Sequence, residues 1–287
     1  MAVAEERDSI VRACGTTIVP RVWAEGRHGV DAWVELGSIT KTVTATLLQR
    51  LAQEGRLEVD DPLEAWLPEC PAGTGITPRM LANHTSGLPR LPPGVHFLSR
   101  DPYRRFTREA LLALLPRTPQ LLTAPPGAAA EYSNLGYAVL GLALERAAGA
   151  GWFEAATAYV LEPVLAVPFQ MSPRGPVALA AGRSRPVRPW TADGAIAPAG
   201  GLWGTTASLY EYTHRLLAER VFGEPALGWR RDGDVVWHNG AMRASAAFAG
   251  HDTVRGVTAV AHGVDVAPDD VDRRGAALLA GPGPPGG

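Results

Sequence analysis

A serine and a lysine three residues apart, Ser38 and Lys41, stand in the stretch Gly37-Ser38-Ile39-Thr40-Lys41. Lys41 is the only lysine in the chain; the rest of its 27 basic residues are arginine. Arginine stays protonated at any working pH, whereas a desolvated lysine can lose its proton and act as a base or tune one. Positions i and i+3 of a helix share a face, so hydroxyl and amine would point into one site. A serine hydroxyl is a weak nucleophile that needs a base beside it. At a helix N-terminus it also gains the dipole and the free backbone N–H groups that favour an oxyanion. Yet a serine before a helix is equally an N-cap, so the pair needs partners before it means catalysis.

Two further clusters offer them. Tyr132-Ser133-Asn134 stands at a loop-to-helix junction. A phenolate beside an ammonium has a lowered pKa and can accept the serine proton. Asn134 has a donor and an acceptor with which to hold a lysine or a substrate carbonyl. The plainer reading packs Tyr132 in the core and uses Ser133 or Asn134 as a cap. The second cluster, His238-Asn239-Gly240-Ala241, follows the strand-like Val235-Val236-Trp237. A glycine there lets a substrate approach the backbone closely, and the Ala241 N–H can join that of Ser38 as an oxyanion pair. Asn-Gly is also a hairpin signal, and both readings can hold.

The elements that must position these groups divide along the chain. Residues 9–14, 16–23 and 30–34 are rich in β-branched and aromatic residues, although 3–13 also reads as a short helix. Residues 38–54 carry many β-branched residues, but Val43, Leu47 and Leu51 form an i, i+4, i+8 stripe and Gly55 is a helix stop. One buried helix is expected, because burial overrides propensity. Further helices are expected from Thr77-Pro78, from Thr107 to a stop at Pro116, over 135–148 closed by Gly149, over 152–165, from a Thr206 cap to about residue 218, and over 269–280. Strands are expected over 234–237, 244–250 and 257–262. The Pro/Arg/Gly-rich stretch 168–198 reads as irregular, and 281–287 as a flexible tail. Strands at both ends with helices between imply an α/β (α+β) fold. The sheet lobe takes about 1–37 and 195–280, and a mostly helical lobe of 38–194 is inserted into it.

Composition narrows the function. The 287 residues are 46% hydrophobic and 20% charged, with a net charge of −2 and no long basic run, which argues against nucleic acid and anionic membranes as partners. The longest apolar stretch, near 135–144, is too short to span a bilayer. The acidic, polar N-terminus lacks the pattern of a signal peptide, so a cytoplasmic protein is expected. Cys14 and Cys70 read as two free thiols. Neither a Gly-x-Ser-x-Gly elbow, a His-Glu-x-x-His zinc pair nor a phosphate-binding glycine loop occurs, so no metal or cofactor is expected. His84 reads as a structural turn residue.

The three clusters, in this order, resemble those of the serine β-lactamase and penicillin-binding protein superfamily, nearest its class C branch with the related esterases and D-amino-acid peptidases. The matching motifs are Ser-x-x-Lys (Ser38, Lys41), Tyr-x-Asn (Tyr132, Asn134) and His-x-Gly (His238, Gly240). Leu57–Pro68, Leu81–Pro89, Pro126-Gly127, Tyr132–Gly141 and Gly200-Gly201 extend the likeness. It implies a β-lactamase-like fold with a central antiparallel sheet and the active site between sheet and helical lobe. It also implies a mechanism. Ser38 forms an acyl-enzyme, Tyr132 with Lys41 serves as base and then acid, and Asn134 positions Lys41 and the acyl side chain. The Ser38 and Ala241 N–H groups hold the oxyanion.

The departures are informative. With one lysine, a Lys-Thr-Gly motif is impossible, and His238 supplies at most a switchable charge near its ordinary pKa of about 6.5. That weakens the case for a penicillin-like carboxylate. The expected activity is therefore that of an esterase or biosynthetic transacylase acting on a small-molecule acyl substrate, with an amine or alcohol acceptor as the alternative to water. A β-lactamase or D-Ala-D-Ala peptidase is the second reading. A binding or sensor protein that keeps the fold but has lost turnover is the reading of another class.

Overall fold

Strand-forming residues from both ends of the chain meet in one sheet in the computed structural model, which describes residues 8–95, 101–180, 189 and 194–281. Six antiparallel strands lie in the order β2-β1-β8-β7-β6-β5, where β1 is Ser9–Gly15, β2 Arg21–Glu25, β5 Arg230–Asp232, β6 Val235–Ala241, β7 Ser245–Asp252 and β8 Val257–Val264. A separate antiparallel pair joins β3 (Trp33–Glu35) to β4 (Trp203–Thr205). Helices α1 (Thr40–Gln53), α2 (Leu63–Trp66), α3 (Pro78–Ala82), α4 (Arg108–Leu114), α5 (Thr118–Leu121), α6 (Asn134–Ala148), α7 (Trp152–Ala156), α8 (Glu162–Val164) and α9 (Ala197–Gly200) fall between β3 and β4. Helices α10 (Thr206–Leu217) and α11 (Pro268–Ala280) pack against the sheet.

The central strands are buried on both faces. Along β7, Ala246 and Phe248 join Leu278 and Leu279 of α11 in one cluster, while Ala247 and Ala249 belong to the main core. This is the period-two alternation of a strand. The Phe248 ring lies directly against Gly275 of α11, where a Cβ would meet it at 2.2 Å.

Helix α1 resolves the conflict between propensity and periodicity. Every residue from Thr40 to Leu48 is buried. The threonine hydroxyls, which disfavour an exposed helix, are consumed locally or by neighbours: Thr46 donates to the Thr42 carbonyl at 2.7 Å and Thr44 to the Pro198 carbonyl at 2.7 Å. Gly55 (φ +66°) follows the helix as the stop expected of it.

Several local expectations are corrected. Pro116 does not end its helical segment; α4 passes through a 3-10 turn, Leu115–Arg117, into α5, because proline fits the first positions of a turn. The 152–165 helix contains a π turn at Thr157–Leu161. Thr205, not Thr206, caps α10, in a reciprocal box with Ser208. The strand expected from residue 9 is present, not its helical alternative, while β4 and β5, three residues each, carry too short a pattern to be read. Most of the Pro/Arg-rich stretch after 180 and the tail beyond 281 lie outside the described residues, as do residues 1–7.

The contact that brings the helical layers to the site is between α6 and α9. A Cβ on Gly141 would fall 2.1 Å from Pro198 Cγ, so only glycine lets the two helices approach this closely. Gly141→Ala is therefore expected to destabilise the protein by about 1–3 kcal/mol through overpacking. Urea unfolding followed by circular dichroism measures this; an unchanged midpoint would show that α9 yields without cost.

Candidate active site

Ser38 lies in a single 3-10 turn, Gly37–Ile39, that runs straight into α1. The sequence spacing thus places Lys41 one turn on and on the same face. Lys41 Nζ is 3.1 Å from Ser38 Oγ and donates to the Ala199 carbonyl of α9 at 2.6 Å. Its side chain has no exposure to water. Tyr132 O–H donates to Ser38 Oγ at 2.5 Å, and the Lys41 amine sits 4.7 Å from the Tyr132 ring centroid. The three groups that the sequence singled out as nucleophile and proton-transfer pair therefore meet at one oxygen.

Their protons are held the opposite way from the expected ammonium and phenolate. Burial, reinforced by the charges of Arg90 and Arg230, holds the Lys41 amine well below the usual lysine range. Burial pushes the Tyr132 phenol up, against the lowering effects of Ser38, Arg230 and Arg90. Desolvation disfavours both charged forms, so a neutral amine beside a neutral phenol is the favoured pair.

The Tyr132 loop is zipped to the segment after α3. Glu131 N–H donates to the His84 carbonyl at 2.9 Å, Ser133 N–H to His84 Nδ1 at 3.1 Å, and Asn134 N–H to the Arg90 carbonyl at 2.9 Å. Ser133 Oγ accepts from the Gly136 N–H and caps α6. His84 adopts φ +66°, a strained region for a residue with a Cβ, and its ring packs 4.6 Å from that of Tyr132. Its role is the turn residue the sequence suggested, one that also orients Tyr132. Asn134 does not bond Lys41: its Nδ2 donates to the Tyr103 hydroxyl at 3.0 Å, and its buried Oδ1 has no partner among the described residues.

The third cluster lies within β6, not in a hairpin. The register pairs His238 with Ala249 and Gly240 with Ala247, and the chain reverses only after Ala241. Met242 N–H donates to the Ser245 carbonyl, so the ladder's alternation turns the Ala241 N–H away from β7, toward the Ser38 turn. The two backbones almost touch. A Cβ on Gly240 would lie 2.1 Å from the Leu36 carbonyl and 3.0 Å from Ser38 N, and one on Gly37 (φ +51°) 3.2 Å from Ala241 N. Those two amides are thereby brought to one place, as an oxyanion site requires.

His238 is corrected as a switchable charge. It is buried, its Nδ1–H donates to the Asn239 carbonyl at 2.7 Å, and burial with the nearby Lys41 drives its pKa down to about 3. Asn239 Nδ2 donates to Asp272 of α11 at 2.6 Å.

Ser38, Tyr132, Asn134, Asn239 and Ala241 open onto a cavity of about 310 Å³. Its other described lining includes three residues that sequence reasoning did not select: Tyr103, Arg90 and Arg230. Arg90 directly follows the Leu81–Pro89 stretch, which was the only signal for it; nothing local marks Tyr103 or Arg230. No cluster of potential metal ligands occurs among the described residues, and no helix there is long and apolar enough to cross a membrane.

Comparisons with known proteins place this geometry in a wider setting. A family model described as Beta-lactamase matches residues 10–281. The D-alanyl-D-alanine-carboxypeptidase/endopeptidase AmpH of Escherichia coli (strain K12) is 34% identical over 154 residues, which cover 52% of this chain and 38% of AmpH. The chain thus matches little more than a third of that relative's length. The solved octameric penicillin-binding protein homologue from Pyrococcus abyssi superposes with a TM-score of 0.80 at 20% identity, covering 96% of this chain and 74% of its own. A β-lactamase/D-alanine carboxypeptidase from Yersinia pestis gives 0.76 at 20% identity, covering 95% and 93%. The last two are likenesses of fold.

Two outcomes follow from the site's construction. Gly240→Ala forces β6 away from the Ser38 turn and is expected to lower serine acylation at least about 100-fold, the scale of a lost oxyanion donor; stopped-assay labelling of Ser38 measures it. The second concerns pH. His84 and His238 are both driven down to about 3. Below about pH 6.5 the unfolded chain binds their protons and the folded chain does not, so stability present above 6.5 is lost as the pH falls toward 3. Replacing His238 by asparagine should flatten the fall between pH 6.5 and 4.5 by roughly 1 kcal/mol per pH unit. Parallel slopes for variant and wild type would contradict the assignment.

Proposed function

This chain belongs to the Beta-lactamase family, whose members are serine hydrolases, and on that premise we propose that it is a serine hydrolase or acyltransferase working through an acyl-Ser38 intermediate on a small ester or amide. The observation that carries the proposal is Ser38 Oγ within hydrogen-bond reach of both Lys41 Nζ and Tyr132 O–H at the floor of a cavity.

Lys41, neutral as its burial favours, takes the Ser38 proton while Oγ bonds to the substrate's carbonyl carbon. The carbonyl electron pair becomes an oxyanion facing the N–H groups of Ser38 and Ala241. As that pair re-forms the carbonyl, the bond to the leaving group breaks. The departing oxygen or nitrogen receives the proton from Lys41 through the Tyr132 hydroxyl. Deacylation repeats the sequence: water, or an amine or alcohol acceptor, gives its proton to the same pair, attacks the acyl carbonyl and releases Ser38. Asn134 Oδ1, without a partner among the described residues and beside the cavity, suits an N–H or O–H of the acyl side chain.

The neutral His238 supports an esterase or transacylase, since the third motif brings no cation of its own. The similarity to AmpH supports the second reading, a peptidase or amidase. A sensor that acylates but does not turn over shares the first half of the chemistry.

Intact-mass spectrometry separates these readings. A fluorophosphonate or activated ester should add one acyl or phosphonyl group to the wild type and none to Ser38→Ala. Lys41→Met and Tyr132→Phe are each expected to slow acylation by about 10²–10⁴-fold. An adduct that persists points to a sensor. Absence of any adduct on the wild type refutes the proposal.

A further inference from the structure

A buried carboxyl stands three residues before Ser38 and has no part in the proton transfers described above. Glu35 closes β3 and is only 9% exposed. Its Oε2 accepts a hydrogen bond from the Ser245 hydroxyl at 3.2 Å. It forms no ion pair among the described residues. Ser245 opens β7, and its carbonyl accepts from Met242 N–H at 2.8 Å, which closes the turn that follows Ala241. The Ser245–Glu35 bond therefore ties the strand that leads into Ser38 to the turn that follows Ala241.

The tie spans the junction at which the two oxyanion amides meet. On one side, the segment before Ser38 is bonded to its neighbours by backbone: Glu35 pairs with Trp203, and Leu36 N–H donates to the Leu202 carbonyl at 2.9 Å. Toward β6 it has the close approach of Gly240 to the Leu36 carbonyl and Ser38 N. No backbone hydrogen bond joins residues 35–39 to residues 240–245 among the described residues. A steric contact sets how near the two backbones can come; the Ser245–Glu35 hydrogen bond opposes their separation.

Burial pushes the Glu35 carboxyl up to about 7, with the Ser245 hydroxyl opposing. No cation among the described residues offsets that burial. The β6–β7 turn carries Arg243, which forms no ion pair with Glu35. Strand β4 has no titratable residue, and β7 has only His251 and Asp252 at its far end. Strand β8 brings His262 opposite Ala247, bonded to His28; burial drives both imidazoles down, toward their neutral forms. Glu35 is thus neutral below about pH 7 and an uncompensated buried anion above it.

We propose that Glu35 is a positioning residue for the acylation of Ser38: through Ser245 it fixes the separation of the two oxyanion N–H groups, and its ionised form opposes the charge that develops between them. The inference rests on the acyl-Ser38 reading and adds to it a regulation by pH. Two negative charges in one desolvated junction repel each other, so the neutral carboxyl is the active form.

The test times burst-phase acylation of Ser38 by p-nitrophenyl acetate, read by intact-mass spectrometry across the neutral range. The wild-type rate at saturating ester should fall on the alkaline side of about pH 7. Glu35→Gln keeps an acceptor for Ser245 and cannot ionise. It should hold the rate below pH 7 to within about threefold and lose the alkaline fall. Ser245→Ala should lower the saturating rate by about tenfold or more with KM little changed, because the displaced donors act on the transition state. It should also move the alkaline fall to higher pH, since the hydroxyl that favours the carboxylate is gone. Adding Ser245→Ala to Glu35→Ala should cost nothing further. A wild type without an alkaline fall overturns the inference, as does a fall that persists in Glu35→Gln or a Ser245→Ala variant that acylates like the wild type. Each of these leaves the acyl-enzyme reading standing. Absence of any adduct on the wild type removes both.

Discussion

An amine with no exposure to water is the constraint around which this protein is built. Lys41 is the chain's only lysine, and it is enclosed by α1, α9 and the Tyr132 ring. A buried ammonium is costly, so the amine is held toward neutrality. A neutral amine can still donate to the Ala199 carbonyl and keep a lone pair for Ser38. One act of burial therefore fixes the position of the group and favours the neutral form that the proposed mechanism uses as a base. An arginine could not do this, because its guanidinium keeps its proton.

Close backbone approach is the second requirement. Gly141 admits Pro198, which brings α9 and its Ala199 carbonyl to the lysine. Gly240 admits the Leu36 carbonyl and Ser38 N, which joins the end of β6 to the start of α1. In the proposed mechanism the first contact positions the base and the second the oxyanion donors, each through a missing Cβ. Behind this junction β7 is buried along its whole length, covered by α10 and α11.

Charge in the cavity is distributed differently from the motif pattern. His238 occupies the third motif but is neutral and turned into the interior, bonded to its neighbour's carbonyl. The guanidinium groups that line the cavity are those of Arg90 and Arg230, 5.3 and 5.9 Å from the Tyr132 ring centroid.

The sequence by itself determined strands at both chain ends, the helix that carries Ser38 and Lys41 on one face, the Thr77 and Thr107 caps and the Gly55 and Gly149 stops. It could do so because these depend on spacing and local backbone chemistry within a few residues. It also picked out Tyr132, since a tyrosine at a helix entrance is a local pattern. Only the tertiary structure decided that burial holds the phenol and the amine toward their neutral forms, that Asn134 bonds Tyr103 rather than Lys41, that Asn-Gly lies within β6, and that Arg90 and Arg230 share one cavity. The physical reason is common to all four. Desolvation, strand register and charge convergence are set by residues far apart in the chain, and no stretch of sequence records which of them will meet.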